Sequence, residues 1–285
     1  LSFPLKTDKY TFFKLEITEL IDNKQKPQLA ELSIDASTEL PYSDYTRTLD
    51  IDNAIHTVMY KENGITFKRE YFMSYPDNVM VMRLTSDSKK GKLSRIISLE
   101  SLHTDKTITA DGHTITMTGY PTPVSGDKRV GDAWKSGLKY AQQLVVKNKG
   151  GKISVVDGTK LKVEDADEII VLMSAATNYV QCMDDSYNYF SQEDPLEKVQ
   201  ATLHKVADKK YTALLATHQK DYHSLYDRMR LNLGNLPEAP VAPTDSLLKG
   251  MDENTNSEQE NQYLEMLYFQ FGRYLLISSS REGSL

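Results

Sequence analysis

The dipeptide Asn63-Gly64 stands between two runs of alternating apolar and polar residues, Ile55–Tyr60 and Ile65–Phe72. Asn-Gly supplies two residues that tolerate positive φ, so this stretch can hardly fold as anything but a tight β-hairpin. The same grammar recurs on both sides. Leu49–Asp52 alternates, Tyr75-Pro76-Asp77-Asn78 reads as a turn, and Val79–Leu84 reads as a strand buried on both faces. Further punctuation falls at Lys90-Gly91, Asp111-Gly112, Gly119-Tyr120-Pro121, Gly150-Gly151 and Asp157-Gly158. Strands are expected between these signals at Leu93–Leu99, Thr114–Thr118, Leu138–Val146, Lys152–Val156 and Asp167–Ala175, and Tyr120–Trp134 reads as a surface loop. Short β-rich runs at this spacing, from about Phe12 to Thr177, predict an antiparallel sandwich.

The period changes after Tyr179. Asp194-Pro195-Leu196-Glu197 combines a cap residue, a proline at the first helical position and an early acid, and Leu196, Val199, Leu203 and Val206 then follow helical spacing. A second helix is expected over Lys210–Met229, with Leu214, Leu215, His218, Tyr222, Leu225 and Met229 on one side. Asn235–Asn256 is rich in Pro, Glu and Asn without periodicity and reads as a loop. Ser257-Glu258-Gln259-Glu260 is a capping box opening an apolar helix through Ile277, whose expected buried stripe is Tyr263, Met266, Leu267, Phe271, Tyr274 and Leu275.

Composition removes several function classes. A net charge of −6 without a basic stripe disfavours nucleic acid and anionic membranes as partners, which both require concentrated Lys and Arg. The charges alternate in sign, as at Lys24, Lys26 and Glu31, or Lys162, Glu164 and Asp165, and read as solvated surface. The single cysteine, Cys182, allows no internal disulfide and no cysteine-based zinc site, and reads as a small packing residue beside Met183. No apolar run approaches the ~20 residues that span a bilayer. Leu1 is expected to be a cut end, with the natural N-terminus and any signal peptide preceding it. The 17 tyrosines, against 8 phenylalanines and 1 tryptophan, suit half-buried strand surfaces first and sugar-facing surfaces second.

The chain lacks a phosphate-binding glycine loop, a Gly-x-Ser-x-Gly elbow and a His-Glu-x-x-His pair. Its six histidines are scattered; His218 and His223, five apart, are poor joint metal ligands, and His218 reads as a buried packing residue with one hydrogen bond. A glycosidase needs two acids across a sugar-sized cleft, and nothing marks such a pair here. Asp184 and Asp185, near Tyr187, Tyr189 and Phe190, form the best polar–aromatic cluster; a solvated inter-domain turn is the preferred reading over a sugar site.

Four stretches carry a resemblance. Tyr45–Ala54, the hairpin Arg69–Phe72 with Ser74–Val79, the set His218, Asp221, Tyr222, Leu225, Tyr226 and Arg228, and above all Phe269–Arg281 resemble, in order and spacing, glycoside hydrolase family 95, the inverting α-L-fucosidase family. The resemblance is weakest over residues 1–30. It implies an α+β fold: an N-terminal antiparallel β super-sandwich over 1–180, a helical linker over 181–234, a loop over 235–257, and over 258–285 the first helix of a truncated (α/α)6 barrel. In that family a Glu and an Asp with Asn partners act within the barrel, beyond the residues present here, so no catalytic residue is carried over. Ser279, Ser280 and Arg281 are the candidates for a place near the sugar, with helix capping as the preferred reading, and Glu282 and Ser284 depart from the family pattern. Neither a cofactor nor a metal is expected. The parent enzyme would act on fucosylated glycans, exported by a bacterium to the periplasm or medium, with an α-L-galactosidase or a non-catalytic binding sandwich as alternatives. Self-association through the helix over 258–278 is expected if nothing covers it.

Overall fold

Asn63 and Gly64 both take positive φ, 52° and 77°, the backbone a two-residue hairpin loop requires if its twist is to match that of the strands. They join β2 (Ile55–Glu62) to β3 (Ile65–Ser74), with Glu62 opposite Ile65. The next turn is closed by the Asn78 N–H donating to the Tyr75 carbonyl at 3.2 Å, and leads into β4 (Val79–Ser86). In a computed structural model that describes residues 42–87, 93–121, 137–180, 190–233 and 242–281, the remaining strands are β1 (Ser43–Asp50), β5 (Leu93–Ile97), β6 (Lys106–Asp111), β7 (Thr114–Gly119), β8 (Tyr140–Lys149), β9 (Lys152–Val156), β10 (Lys160–Ala166) and β11 (Glu168–Thr177). Four helices follow: α1 (Pro195–Val206), α2 (Tyr211–Tyr226), α3 (Thr244–Asp252) and α4 (Glu258–Ser279).

The strands form two antiparallel sheets, an eight-stranded one in the order β1-β2-β3-β4-β11-β8-β7-β6 and a three-stranded one in the order β5-β10-β9. The period of two sorts neighbouring residues to opposite sides of the large sheet. Ile169 and Val171 of β11, with Ile115, Leu144 and Val146, face Leu93, Leu161, Val163 and Ala166 of the small sheet. Leu172, with Phe72, Val79 and Val81, faces the other way, onto Val199 and Leu203 of α1 and Leu214 of α2. The sandwich therefore has a third layer. Each fully buried aliphatic side chain at these contacts contributes about 1.5–3 kcal/mol, so α1 and α2 are anchored to the large sheet by several such side chains.

Several expectations are corrected by the structure. Val79 and Val81 are buried, but Met80 and Met82 on the opposite face are half-buried, so β4 is covered unequally. Two strands went unread, β6 and β10. The charges of Lys162 and Glu164 do lie outward, but the alternate residues Leu161 and Val163 are wholly buried. The stretch 235–257, expected to be a loop, contains the helix α3. The stripe expected on α4 is out of phase: Leu264 and Gln270 are buried, Tyr263, Met266, Leu267 and Tyr274 half-buried, while Phe271 and Leu275 are exposed. Both caps form as expected: Asp194 accepts from the Leu196 N–H, and Ser257 and Glu260 close a reciprocal capping box. The surface loop expected after Gly119 lies mostly outside the described residues, as do Cys182 and the cluster around Asp184 and Asp185 apart from Phe190.

Candidate functional site

The turn between β1 and β2 presents its backbone carbonyls to α2. Asp50 holds the turn, its carboxylate accepting from the Asn53 backbone N–H at 3.1 Å and side-chain amide at 2.8 Å. Ala54 then takes a left-handed φ of 51°. The outward carbonyls meet one side of α2 in succession. The Tyr222 hydroxyl donates to the Ile51 carbonyl at 2.7 Å, His223 Nε2 lies 3.0 Å from that of Asp52, and His218 Nε2 lies 3.2 Å from those of Asn53 and Ala54. Gln219 donates to the Asn53 side chain at 3.1 Å. Residues 218, 219, 222 and 223 follow helical spacing and therefore share one face.

His218 is buried, as the sequence reading expected, with its ring stacked on Phe72 at 4.8 Å. Burial lowers its pKa below the ordinary histidine value, against the opposing pull of the Ala54, Asn53 and Met73 carbonyls. Neutral imidazole must then carry its proton on Nε2 to serve carbonyl acceptors. Burial likewise raises the hydroxyl of Tyr222, and that of Tyr226 is pushed up to about 12. His218 and His223 share the turn as a partner. Among the described residues no group of three potential metal ligands comes together.

Helix α4 is tied to α2 by two arginines. Arg273 donates to the Tyr226 carbonyl at 2.8 Å and the Leu225 carbonyl at 3.4 Å at the C-terminal end of α2, and also to that of Met229 just beyond it. Its guanidinium lies 5.0 Å from the Tyr226 ring and is braced by the buried Gln270 at 3.2 Å. Arg281 forms a forked pair with Asp221 of α2, at 2.8 and 3.4 Å, and lies 4.6 Å from the ring of Tyr75 in the β3–β4 turn. One guanidinium thus touches the sandwich, α2 and α4 together.

Beside Arg281 lies a cavity of about 380 Å³. The sandwich supplies His56, Tyr71, Phe72 and Tyr75 to its wall, α2 supplies His218 and Tyr222, and α4 supplies Tyr274, Ile277 and Ser278. Among the described residues no carboxylate lines it, and its charged member, Arg281, is neutralised from behind by Asp221. A cavity of this make can hold a ligand but offers no acid pair for glycoside cleavage.

Of the three residues expected near a sugar, Arg281 lines the cavity, whereas Ser279 turns its hydroxyl back to the Leu275 carbonyl at 2.8 Å and Ser280 is the C-cap of α4. Tyr75, His56 and Asp221 were not singled out as site residues. Tyr75 was read as part of a turn and His56 as one of the scattered histidines. The one signal for Asp221 was its place in the resemblance beside Tyr222.

Residues 11–182 match the family model described as glycosyl hydrolase family 65, N-terminal domain, and residues 210–285 match the glycosyl hydrolase family 95 catalytic domain. Among characterised and predicted enzymes, the chain is 31% identical over 263 residues to the probable alpha-fucosidase A of Aspergillus niger, covering 90% of this chain and 31% of that protein. It is 33% identical over 257 residues to alpha-L-fucosidase 2 of Arabidopsis thaliana, covering 85% of this chain and 30% of that protein. The chain thus spans about a third of the length of these relatives. A solved structure titled putative kojibiose phosphorylase from human microbiome is 11% identical, with a TM-score of 0.44 over 65% of this chain and 25% of the other, a likeness too slight to bear on the fold. The described strands between residues 43 and 177 and the helices from residue 211 onward carry these matches in the order the resemblance implied, and the chain belongs to the glycosyl hydrolase family 65 N-terminal domain family, followed by a stretch that matches the family 95 catalytic domain.

Proposed function

We propose that this chain is the non-catalytic front part of a glycoside hydrolase that removes terminal α-L-fucose from glycans. The observation that carries the proposal is the succession, in one chain, of a hydrolase-type sandwich domain and a family 95 catalytic stretch, with relatives named as alpha-fucosidases. In this reading the sandwich over 1–180 and the helices over 181–234 brace a barrel whose first helix lies within 258–285. The acids of hydrolysis lie outside these residues, in keeping with a junction cavity lined by no carboxylate. Ser279, Ser280 and Arg281 belong to the sugar-proximal end of α4, and Arg281, on the cavity wall, is the best supported of them. The apolar side chains left outward on α4, Tyr268, Phe271, Leu275 and Leu276, are covered by further barrel helices or by self-association. Export to the periplasm or medium, and a bacterial source, belong to the same proposal; the relatives named above are fungal and plant.

The test is hydrolysis of aryl α-L-fucoside and aryl α-L-galactoside by a longer protein containing this chain, and by the 285 residues alone. Fucoside cleavage by the longer protein alone is expected. Cleavage by the 285-residue chain would overturn the placement of the acids, and an inert longer protein would favour a purely binding module.

A further inference from the structure

We propose that the cavity between the sandwich, α2 and α4 is a binding site for one neutral monosaccharide unit. Its volume of about 380 Å³ sits at the small end of the ~300–1,000 Å³ typical of ligand sites, enough for a single ring rather than a chain. Its charge points to a neutral guest. Arg281 would attract an anion, but Asp221 answers it at 2.8 Å, and no lining carboxylate invites a cation. The rest of the wall joins two chemistries that a sugar presents together. Tyr71, Tyr75 and Tyr274 offer apolar ring surface for the C–H face of a pyranose. The imidazole of His56, the hydroxyl of Ser278 and the N–H groups of Arg281 offer donors and acceptors for its hydroxyls. The mouth is reachable, since Tyr75 and Met73 at the rim are 50% and 65% exposed.

The site is also prearranged. Arg281 is held by Asp221, by the Ile277 carbonyl at 2.7 Å and by the Tyr75 ring, so little freedom remains to be lost on binding. The choice of sugar rests on the proposed function: L-fucose is expected ahead of D-glucose.

Saturation-transfer NMR and calorimetric titration of the 285-residue chain with L-fucose, L-galactose, D-glucose and D-galacturonate test this. Saturable binding of a neutral sugar is expected, weakened at least tenfold in Ser278→Phe, which fills the cavity from an exposed helix position, and in Tyr75→Ala, with melting curves confirming that both variants fold. The proposal is overturned if no neutral sugar binds, if binding survives both variants, or if the uronate alone binds. Glucose binding as tightly as fucose, with both lost in Ser278→Phe, would keep the cavity and remove its support for a fucoside enzyme. Hydrolysis does not enter these readouts, so an inactive longer protein leaves them standing.

Discussion

Arg273→Ala should loosen α4 from α2 without disturbing the sandwich. The guanidinium makes one well-formed bond to the Tyr226 carbonyl at 2.8 Å, a long one to Leu225 at 3.4 Å, and a further one to Met229. A hydrogen bond from a charged group contributes about 1.5–3 kcal/mol, and the half-exposed position keeps the sum near the lower end. The Tyr226 ring at 5.0 Å adds about 0.5–1 kcal/mol. Attraction to the C-terminal end of α2 is already contained in those bonds, so it is not added again. The expected cost is therefore about 2–3 kcal/mol. This falls on the local opening of α4, whose packing partners are α2 and α3, and is best read by hydrogen exchange. Amides of α4 should exchange about 30- to 150-fold faster, while those of β8 and β11 keep their rates. Arg273→Lys should recover less than half, since an ammonium lacks the planar fork that spans successive carbonyls. A change below about threefold in α4, or an equal acceleration in β11, would refute the clamp.

Two further outcomes follow from the junction. The folded-state pKa of His218 lies below its ordinary value of 6.5, so under acidification the unfolded chain binds a proton that the folded one refuses. Its contribution is thus complete above pH 6.5 and declines as pH falls below it; urea midpoints of wild type should drop between about pH 7.5 and pH 5 more than those of His218→Gln, and parallel pH profiles would exclude the effect. Leu214→Ala should cost about 2–4 kcal/mol by chemical denaturation, because Leu214 is fully buried between α2 and the large sheet; a cost under about 0.5 kcal/mol would mean that the helices are a tether rather than a layer.

The strands were legible wherever alternation met an unambiguous turn. Asn63-Gly64 pins a register, and Lys152–Val156 emerges with the bounds expected of it. β10 is masked in the sequence because Leu161 and Val163 sit among Lys160, Lys162 and Glu164, whose charges mark only the solvated face. The register irregularity between Val163 and Ala166, with Asp165 at a φ of 57°, shortened the pattern further. α3 lacks a side-chain cap and buries Leu247 and Gly250, too little for periodicity to stand out. α4 was found by its capping box, but a helix apolar on most sides cannot announce which side is covered. That depends on Arg273 and Arg281, whose partners lie more than forty residues away in sequence. The cavity was legible least, since it is assembled from β2, β3, α2 and α4 and no single stretch contains it.

Helix α2 grips the turn 51–54 by four successive main-chain oxygens, and those oxygens are present whatever side chains the turn bears. Substitution at Ile51 should consequently leave the joint intact, whereas adding or deleting one residue there would shift every oxygen past its donor. The docking is read by chain length rather than by residue identity, which makes this short turn a ruler for seating the helix.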